Sequence, residues 1–131
     1  MWHVAGKRAD VGLFQPFKPD EMLYDFDGPR TFTLRDRDGQ LCLAHWCDED
    51  QERTRFLVVP FTEQLVKKLK EGEMTLRDAL NQPHLWALDV TRGGEPREAW
   101  IVQFTALPQD VLPHPGTLLL HSLERSKRVT S

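Results

Sequence analysis

The chain lacks the features that mark several specialised classes of protein. Only two of its 131 residues are cysteines, which excludes a fold built on several disulfides. Its net charge of -3 at pH 7 gives no overall attraction to nucleic acid or to an anionic membrane. No apolar run approaches the roughly 20 residues that span a bilayer, and the N-terminus lacks the segments of a secretory signal. We therefore predict a cytoplasmic protein with reduced thiols and no membrane partner.

The composition that remains is typical of one globular domain. Apolar residues make up 40% of the chain and charged residues 28%, which suits a single hydrophobic core. We predict an N-terminal lead-in arm over residues 1–21, a single domain over residues 22–123 and a flexible polar tail over residues 124–131. Phe14 and Phe17 are the residues of the arm that we expect to pack onto the domain.

Alternating apolar and polar residues predict four strands in the first half of the chain. The predicted strands span residues 22–26, 30–35, 40–46 and 53–59. Glycine-bearing turns separate the first three strands. The five polar residues 48–52 exclude a two-residue hairpin and predict a longer loop before the fourth strand.

Two short helices are predicted after the fourth strand. Thr62 is a suitable N-cap for the first helix, in which Leu65 and Leu69 share an apolar face. Thr75 begins the second helix, and Pro83 prevents its continuation. Helices of about two or three turns are not stable alone in water, so both must pack against a sheet.

The rest of the sheet is predicted as an antiparallel hairpin of residues 85–90 and 100–105. If Trp86 and Trp100 pair across this hairpin, they supply a large buried area. These elements together predict an α+β fold: a twisted, mainly antiparallel sheet of five to seven strands with two short consecutive helices on one face. The predicted core comprises the apolar residues that face inward: Phe32, Leu34, Leu43, Phe56, Val58, Leu65, Leu69, Leu76, Leu80, Trp86, Leu88, Val102 and Phe104.

Several short motifs between Met22 and Asp89 resemble a family of small uncharacterised bacterial domains. The motifs are Tyr24-Asp-x-x-Gly-Pro-Arg30, Trp46-x-Asp-Glu49, the strand end Leu57-Val-Val-Pro60 and Thr75-Leu-Arg-x-Ala79. The resemblance covers about half of the chain. It implies no assigned activity, cofactor or catalytic residue.

Metal and hydrolytic chemistry have little material in this sequence. Cys42, His45 and Cys47 lie on one predicted strand, in which successive side chains point to opposite faces. Cys42 therefore faces one side of the sheet, whereas His45 and Cys47 face the other. The three side chains cannot converge on one metal ion. We predict no metal, no cofactor and no catalytic residue, because nucleophile and phosphate-binding motifs are also missing. The alternative is a small metal-dependent hydrolase or nuclease that uses clustered carboxylates. Its candidate residues are Asp25, Asp27, Asp48 and Glu49.

Basic residues leave a second alternative open, which is a nucleic-acid-binding accessory protein. Lys67, Lys68 and Lys70 form a basic patch on the first predicted helix, and phosphate contacts require such clusters. The alternation of the aromatic residues favours a core over a stacking platform for bases. Nucleic acid is therefore not the favoured partner.

The four tryptophans favour protein binding, because strand tryptophans that the two short helices leave uncovered can anchor a partner. Our leading hypothesis is a non-catalytic cytoplasmic binding or adaptor domain that acts through protein–protein contacts, as a homodimer or in a complex. The predicted contact surface consists of aromatic and arginine residues: Trp46, Arg53, Arg55 and Trp100.

Overall fold

Seven strands form one antiparallel sheet in the computed structural model, which describes residues 1–25 and 28–119. The strands are β1 (Lys7–Ala9), β2 (Pro19–Asp25), β3 (Pro29–Arg35), β4 (Leu41–Glu49), β5 (Arg53–Pro60), β6 (Trp86–Thr91) and β7 (Pro96–Ile101). Two helices, α1 (Glu63–Lys70) and α2 (Leu76–Leu80), lie between β5 and β6. The predicted α+β fold is confirmed. The tail predicted over residues 124–131 lies outside the described residues.

The strand order β1-β7-β6-β5-β4-β3-β2 makes the sheet a continuous meander from β2 to β7, with β1 added beside β7. Strands β1 and β2 are therefore neighbours in sequence but lie at opposite edges. The chain between them must cross the sheet, and it does so through a 3-10 turn at Val11–Phe14. The ring of Phe14 meets that of Trp86 at 5.5 Å, and the ring of Phe17 meets that of Phe32 at 5.7 Å.

Each face of the sheet has its own hydrophobic core. On the helix face, the buried side chains of α1 and α2 pack against strand residues such as Leu43 and Leu57. On the opposite face, which we call the crossover face, Phe14 belongs to a cluster with Phe32, Phe56 and Leu88. Ten of the thirteen predicted core residues are buried, and the other three are partly buried against these two clusters: Leu65, Trp86 and Phe104.

The predicted helix starts are confirmed. The Thr62 hydroxyl oxygen accepts a hydrogen bond from the Leu65 amide at 3.1 Å, and the Thr75 hydroxyl oxygen accepts one from the Asp78 amide at 3.0 Å. Each bond satisfies an amide that the helix itself leaves without a partner. Neither helix in the described part of the chain combines the length and the apolar composition needed to cross a bilayer.

The second strand of the hairpin, predicted over residues 100–105, lies earlier in the chain, and Trp86 and Trp100 do not pair. Strand β7 begins at Pro96, and Trp100 lies opposite Ala87, while Trp86 lies opposite Ile101. The two indoles consequently pack into the two different cores. The turn determines this register, because the Thr91 amide donates to the carbonyl oxygen of Glu95 at 2.8 Å and closes the hairpin earlier than the alternation of apolar residues suggested.

The predicted long acidic loop over residues 48–52 is also wrong. Strand β4 continues to Glu49, and the chain reverses in a tight turn in which the Asp50 amide donates to the carbonyl oxygen of Arg53 at 2.9 Å. The Asp50 carboxylate accepts hydrogen bonds from the amides of Glu52 and Arg53 at 2.8 and 2.9 Å. A side chain that accepts hydrogen bonds from amides two and three residues later stabilises such a short turn.

Candidate functional site

Three of the four predicted contact residues, Arg53, Arg55 and Trp100, come together on the helix face. The Arg55 guanidinium forms two hydrogen bonds with the Asp89 carboxylate, at 2.5 and 2.9 Å. Its guanidinium carbon also contacts two indole rings, at 4.4 Å from the centre of Trp2 and 5.1 Å from that of Trp100. Arg55 is only 5% exposed and Asp89 only 1%. We call this group the arginine cage.

Further ion pairs surround the arginine cage. Arg53 donates to Glu98 at 2.8 Å and to Asp89 at 3.4 Å, and Arg8 pairs with Glu98 at 2.9 Å. The hydrogen bond from Arg53 is the main cause that lowers the pKa of Glu98, and the same bond raises the pKa of Arg53. Each carboxylate of the cluster, Asp89 and Glu98, is therefore paired with two arginines.

Trp46, the fourth predicted contact residue, lies on the crossover face. The Arg30 guanidinium carbon lies 4.3 Å from the centre of the Trp46 ring, and the indole N–H donates to the Glu49 carboxylate at 3.2 Å. Glu49 in turn pairs with Arg30 at 3.6 Å and with Arg92 at 3.1 Å. Trp46 is partly exposed, so this network holds a solvent-accessible aromatic ring in one orientation.

A recess of about 300 Å³ opens beside Trp46. Its apolar lining comes from Phe17, Trp46, Phe56 and Val90, and its charged lining from Arg30, Glu49 and Arg92. Phe17 reaches it from the crossover segment, whereas Arg92 reaches it from the turn between β6 and β7. We call this feature the Trp46 recess.

Of the carboxylates proposed for a hydrolase, Asp48 and Glu49 lie on opposite faces of the sheet. Asp48 lies opposite the caged Arg55 and accepts a hydrogen bond from the Trp2 amide at 3.4 Å, whereas Glu49 lines the recess on the other face. Asp25 accepts a hydrogen bond from the amide of Gly28 at 3.2 Å. Asp27 lies outside the described residues. Among residues 1–25 and 28–119, no three His, Cys, Asp or Glu side chains form a group that could hold a metal ion.

The two thiols are poor nucleophiles. Cys42 and Cys47 are both buried and free, and they belong to the cores on opposite faces, as predicted. Burial raises the pKa of the Cys42 thiol to about 12 and also raises that of Cys47. Since the thiolate is the reactive form, neither side chain is activated at neutral pH.

The basic patch lies away from the Trp46 recess. Lys67, Lys68 and Lys70 are exposed residues of α1, which packs on the helix face, and Lys70 forms an ion pair with Glu21. A single-stranded nucleic acid would need basic and aromatic residues along one groove. Here the sheet separates the lysine patch from the Trp46 recess.

Sequence reasoning missed the parts played by Trp2, Arg30 and Arg92. One signal was available for Arg30, because it alternates with the buried residues Phe32 and Leu34 along β3 and so shares their face. No local pattern links Trp2 or Arg92 to its contacts. Those contacts form only when distant segments meet.

Comparison with known proteins finds one family. The model of a family of unknown function (DUF6575) matches residues 20–87, just over half of the chain. No curated protein and no solved structure matches. The matched range includes Arg30, Trp46 and Glu49, whereas β1 and β7 lie outside it.

Proposed function

Since the chain belongs to this family of unknown function, we propose its role from the site itself: a non-catalytic binding domain that acts through protein–protein contacts at the Trp46 recess. The bacterial origin and the cytoplasmic location expected from the sequence are part of the same proposal. The observation that carries it is a partly exposed tryptophan held by an arginine above its ring and a carboxylate on its indole N–H.

The residue types of the recess support this role. Tryptophan, tyrosine and arginine dominate the few positions that carry most of the energy in protein interfaces. Both Trp46 and Arg30 are already fixed by contacts within the domain, so binding would cost little additional side-chain entropy. The lining combines apolar side chains at its base with charges at its rim, as interface cores and rims do.

The charges of the recess indicate the chemistry of the partner. Two guanidinium groups, those of Arg30 and Arg92, face one carboxylate, that of Glu49. The Arg92 side chain is 52% exposed and lies beside the apolar lining of the recess. We therefore propose a partner protein that presents an apolar side chain next to a carboxylate, the first seated against Trp46 and the second directed to Arg92.

Capture of a partner from the native host by variants of the recess tests the proposal. Arg92→Glu reverses a charge whose side chain is 52% exposed, so we expect the fold to persist while the captured partner is lost. Trp46→Ala should also lose it. The matched control Lys68→Ala alters an exposed residue on the helix face and should retain it.

Salt and molecular mass complete the test. Capture through Arg92 should weaken as ionic strength rises, because contacts at an exposed rim are screened. A doubling of the mass of the pure protein in light scattering, abolished by Arg92→Glu, would show that the partner is a second copy of the chain. Equal capture by the wild-type protein, Arg92→Glu and Trp46→Ala would refute the role of the recess.

A further inference from the structure

A second cavity, of about 430 Å³, lies on the helix face beside β3, β4 and α2. Its lining is mostly apolar and includes Tyr24, Leu76, Pro113 and Leu119. The segment that ends at Leu119 is anchored to α2, because the Leu76 amide donates to the carbonyl oxygen of Thr117 at 3.0 Å. The volume lies within the range of cavities that hold small ligands.

Among the polar side chains of this lining, that of His45 has one ring nitrogen that forms no hydrogen bond within the described residues. Its Nδ1 lies 2.9 Å from the hydroxyl oxygen of Thr31, which is fully buried. Its Nε2 has no hydrogen-bond partner within residues 1–25 and 28–119. Every buried side-chain nitrogen or oxygen of those residues has a hydrogen-bond partner. Since Nε2 has none, it is accessible. The cavity is the space that His45 lines.

The charge of His45 restricts the ligand. Burial, and secondly the nearby positive charge of Arg30, lower its pKa to about 4, so the ring is neutral at physiological pH. A neutral imidazole does not attract an anion as an imidazolium would, and Arg30, which also lines the cavity, pairs with Glu49 at 3.6 Å. Depending on the tautomer, Nε2 either donates or accepts a hydrogen bond, and a hydroxyl group satisfies both cases.

We infer that this cavity binds a small, mainly apolar molecule whose hydroxyl group forms a hydrogen bond with Nε2 of His45. Thr31 would hold the imidazole in place through Nδ1, and the apolar side chains would cover the rest of the molecule. This activity goes beyond the proposed protein contacts. The cavity and the Trp46 recess have Arg30 and Trp46 in common but open on opposite faces of the sheet.

Titration with p-cresol and with toluene, followed by amide chemical shifts, tests the inference. The two probes are close in shape, but only p-cresol carries a hydroxyl group. We expect saturable shifts at Thr31, His45, Leu76 and Thr117 with p-cresol, and an affinity for toluene about fivefold lower, which is the usual effect of one neutral hydrogen bond. The absence of saturable shifts, or equal affinities for the two probes, would overturn it.

Two variants and one direct measurement locate the probe. Thr117→Trp places a large side chain in the cavity and should abolish the shifts, whereas Lys68→Ala at an exposed position of α1 should leave them unchanged. His45→Phe should remove the preference for p-cresol. If that variant fails to fold, the imidazole nitrogen shifts of the wild-type protein replace it: p-cresol should move the Nε2 resonance, and an unchanged resonance would contradict the assignment.

Discussion

Arg55 joins the N-terminal segment to the middle of the sheet through Trp2, which lies 53 residues earlier in the chain. Its guanidinium lies 4.4 Å from the centre of the Trp2 ring and donates to the Trp2 carbonyl oxygen at 2.6 Å. The same group forms the bidentate pair with Asp89. One buried cation therefore connects the first residues, β5 and β6, and the stability of the fold should depend on its partner.

Asp89→Ala should be strongly destabilising, because it leaves the Arg55 charge buried without its carboxylate. Breaking one partner of a buried ion pair costs about 3 to 5 kcal/mol. Urea unfolding measures the loss. The matched control is Arg8→Ala, which removes a 71% exposed member of the neighbouring ion pair and should cost about 1 kcal/mol or less. Equal losses of unfolding free energy in the two variants would show that the contribution of the Arg55–Asp89 pair does not depend on its burial.

Phe14→Ala should also destabilise the whole domain, although Phe14 belongs to the predicted lead-in arm and lies outside the range matched by the family. Its ring is 1% exposed and packs on the crossover face, and replacing a buried phenylalanine by alanine costs about 3 to 5 kcal/mol. The neighbouring Leu13→Ala, at a partly buried position, should cost clearly less in the same urea experiment. A single transition with no loss for Phe14→Ala would contradict the packing of this segment.

His45 should make stability depend on pH between about 7 and 5. Its pKa of about 4 in the folded state lies below the value of about 6.5 in an unfolded chain. As the pH falls, the unfolded state therefore binds the proton first, and folding free energy is lost. Between pH 7 and pH 5 the loss is about 2 kcal/mol.

A comparison with His45→Gln isolates the contribution of His45 to the pH dependence of stability. Carboxylates with lowered pKa values, such as Glu98, titrate below pH 5 and are present in both proteins. The wild-type protein should lose about 2 kcal/mol more than the variant between pH 7 and pH 5. Parallel profiles for the two proteins would contradict the burial of a neutral imidazole.

The two thiols should be protected in the native protein. Cys42 and Cys47 are buried, and their pKa values are raised, so a thiol reagent at pH 8 should react with them only as fast as the protein unfolds. Both should react at once in denaturant. A cysteine introduced by Lys68→Cys on the exposed face of α1 provides the fast control, and an equally fast reaction of the native thiols would refute their burial.

The elements predicted best are those whose signals are local. The N-caps of Thr62 and Thr75 depend on bonds that reach three residues along the chain, and the opposite orientation of Cys42 and Cys47 follows from the alternation of a strand. The register of Trp86 against Trp100 could not be obtained in this way. Because β7 begins at Pro96 and not at residue 100, each residue of β6 lies opposite a different residue of β7 from the one expected.

The candidate site shows the same difference between features with local signals and contacts between distant segments. Arg53, Arg55 and Trp100 were selected as surface residues, but the structure buries Arg55 beneath Trp2 and pairs it with Asp89. Their proximity arises because β5, β6 and β7 are neighbours in the sheet. Trp46 is separated from them because the pleat of β4 directs it to the crossover face.

By itself, the sequence determined the class of fold, the two capped helices and the two-sided character of the strands, since these depend on periodicity and on bonds between near neighbours. Only the tertiary structure decided that Trp2 covers Arg55, that Arg92 meets Glu49 beside Trp46, and that a cavity opens at His45. Each of these contacts joins segments that are far apart in the chain. Such contacts depend on strand order, on register and on the path of the crossover segment, which no local pattern encodes.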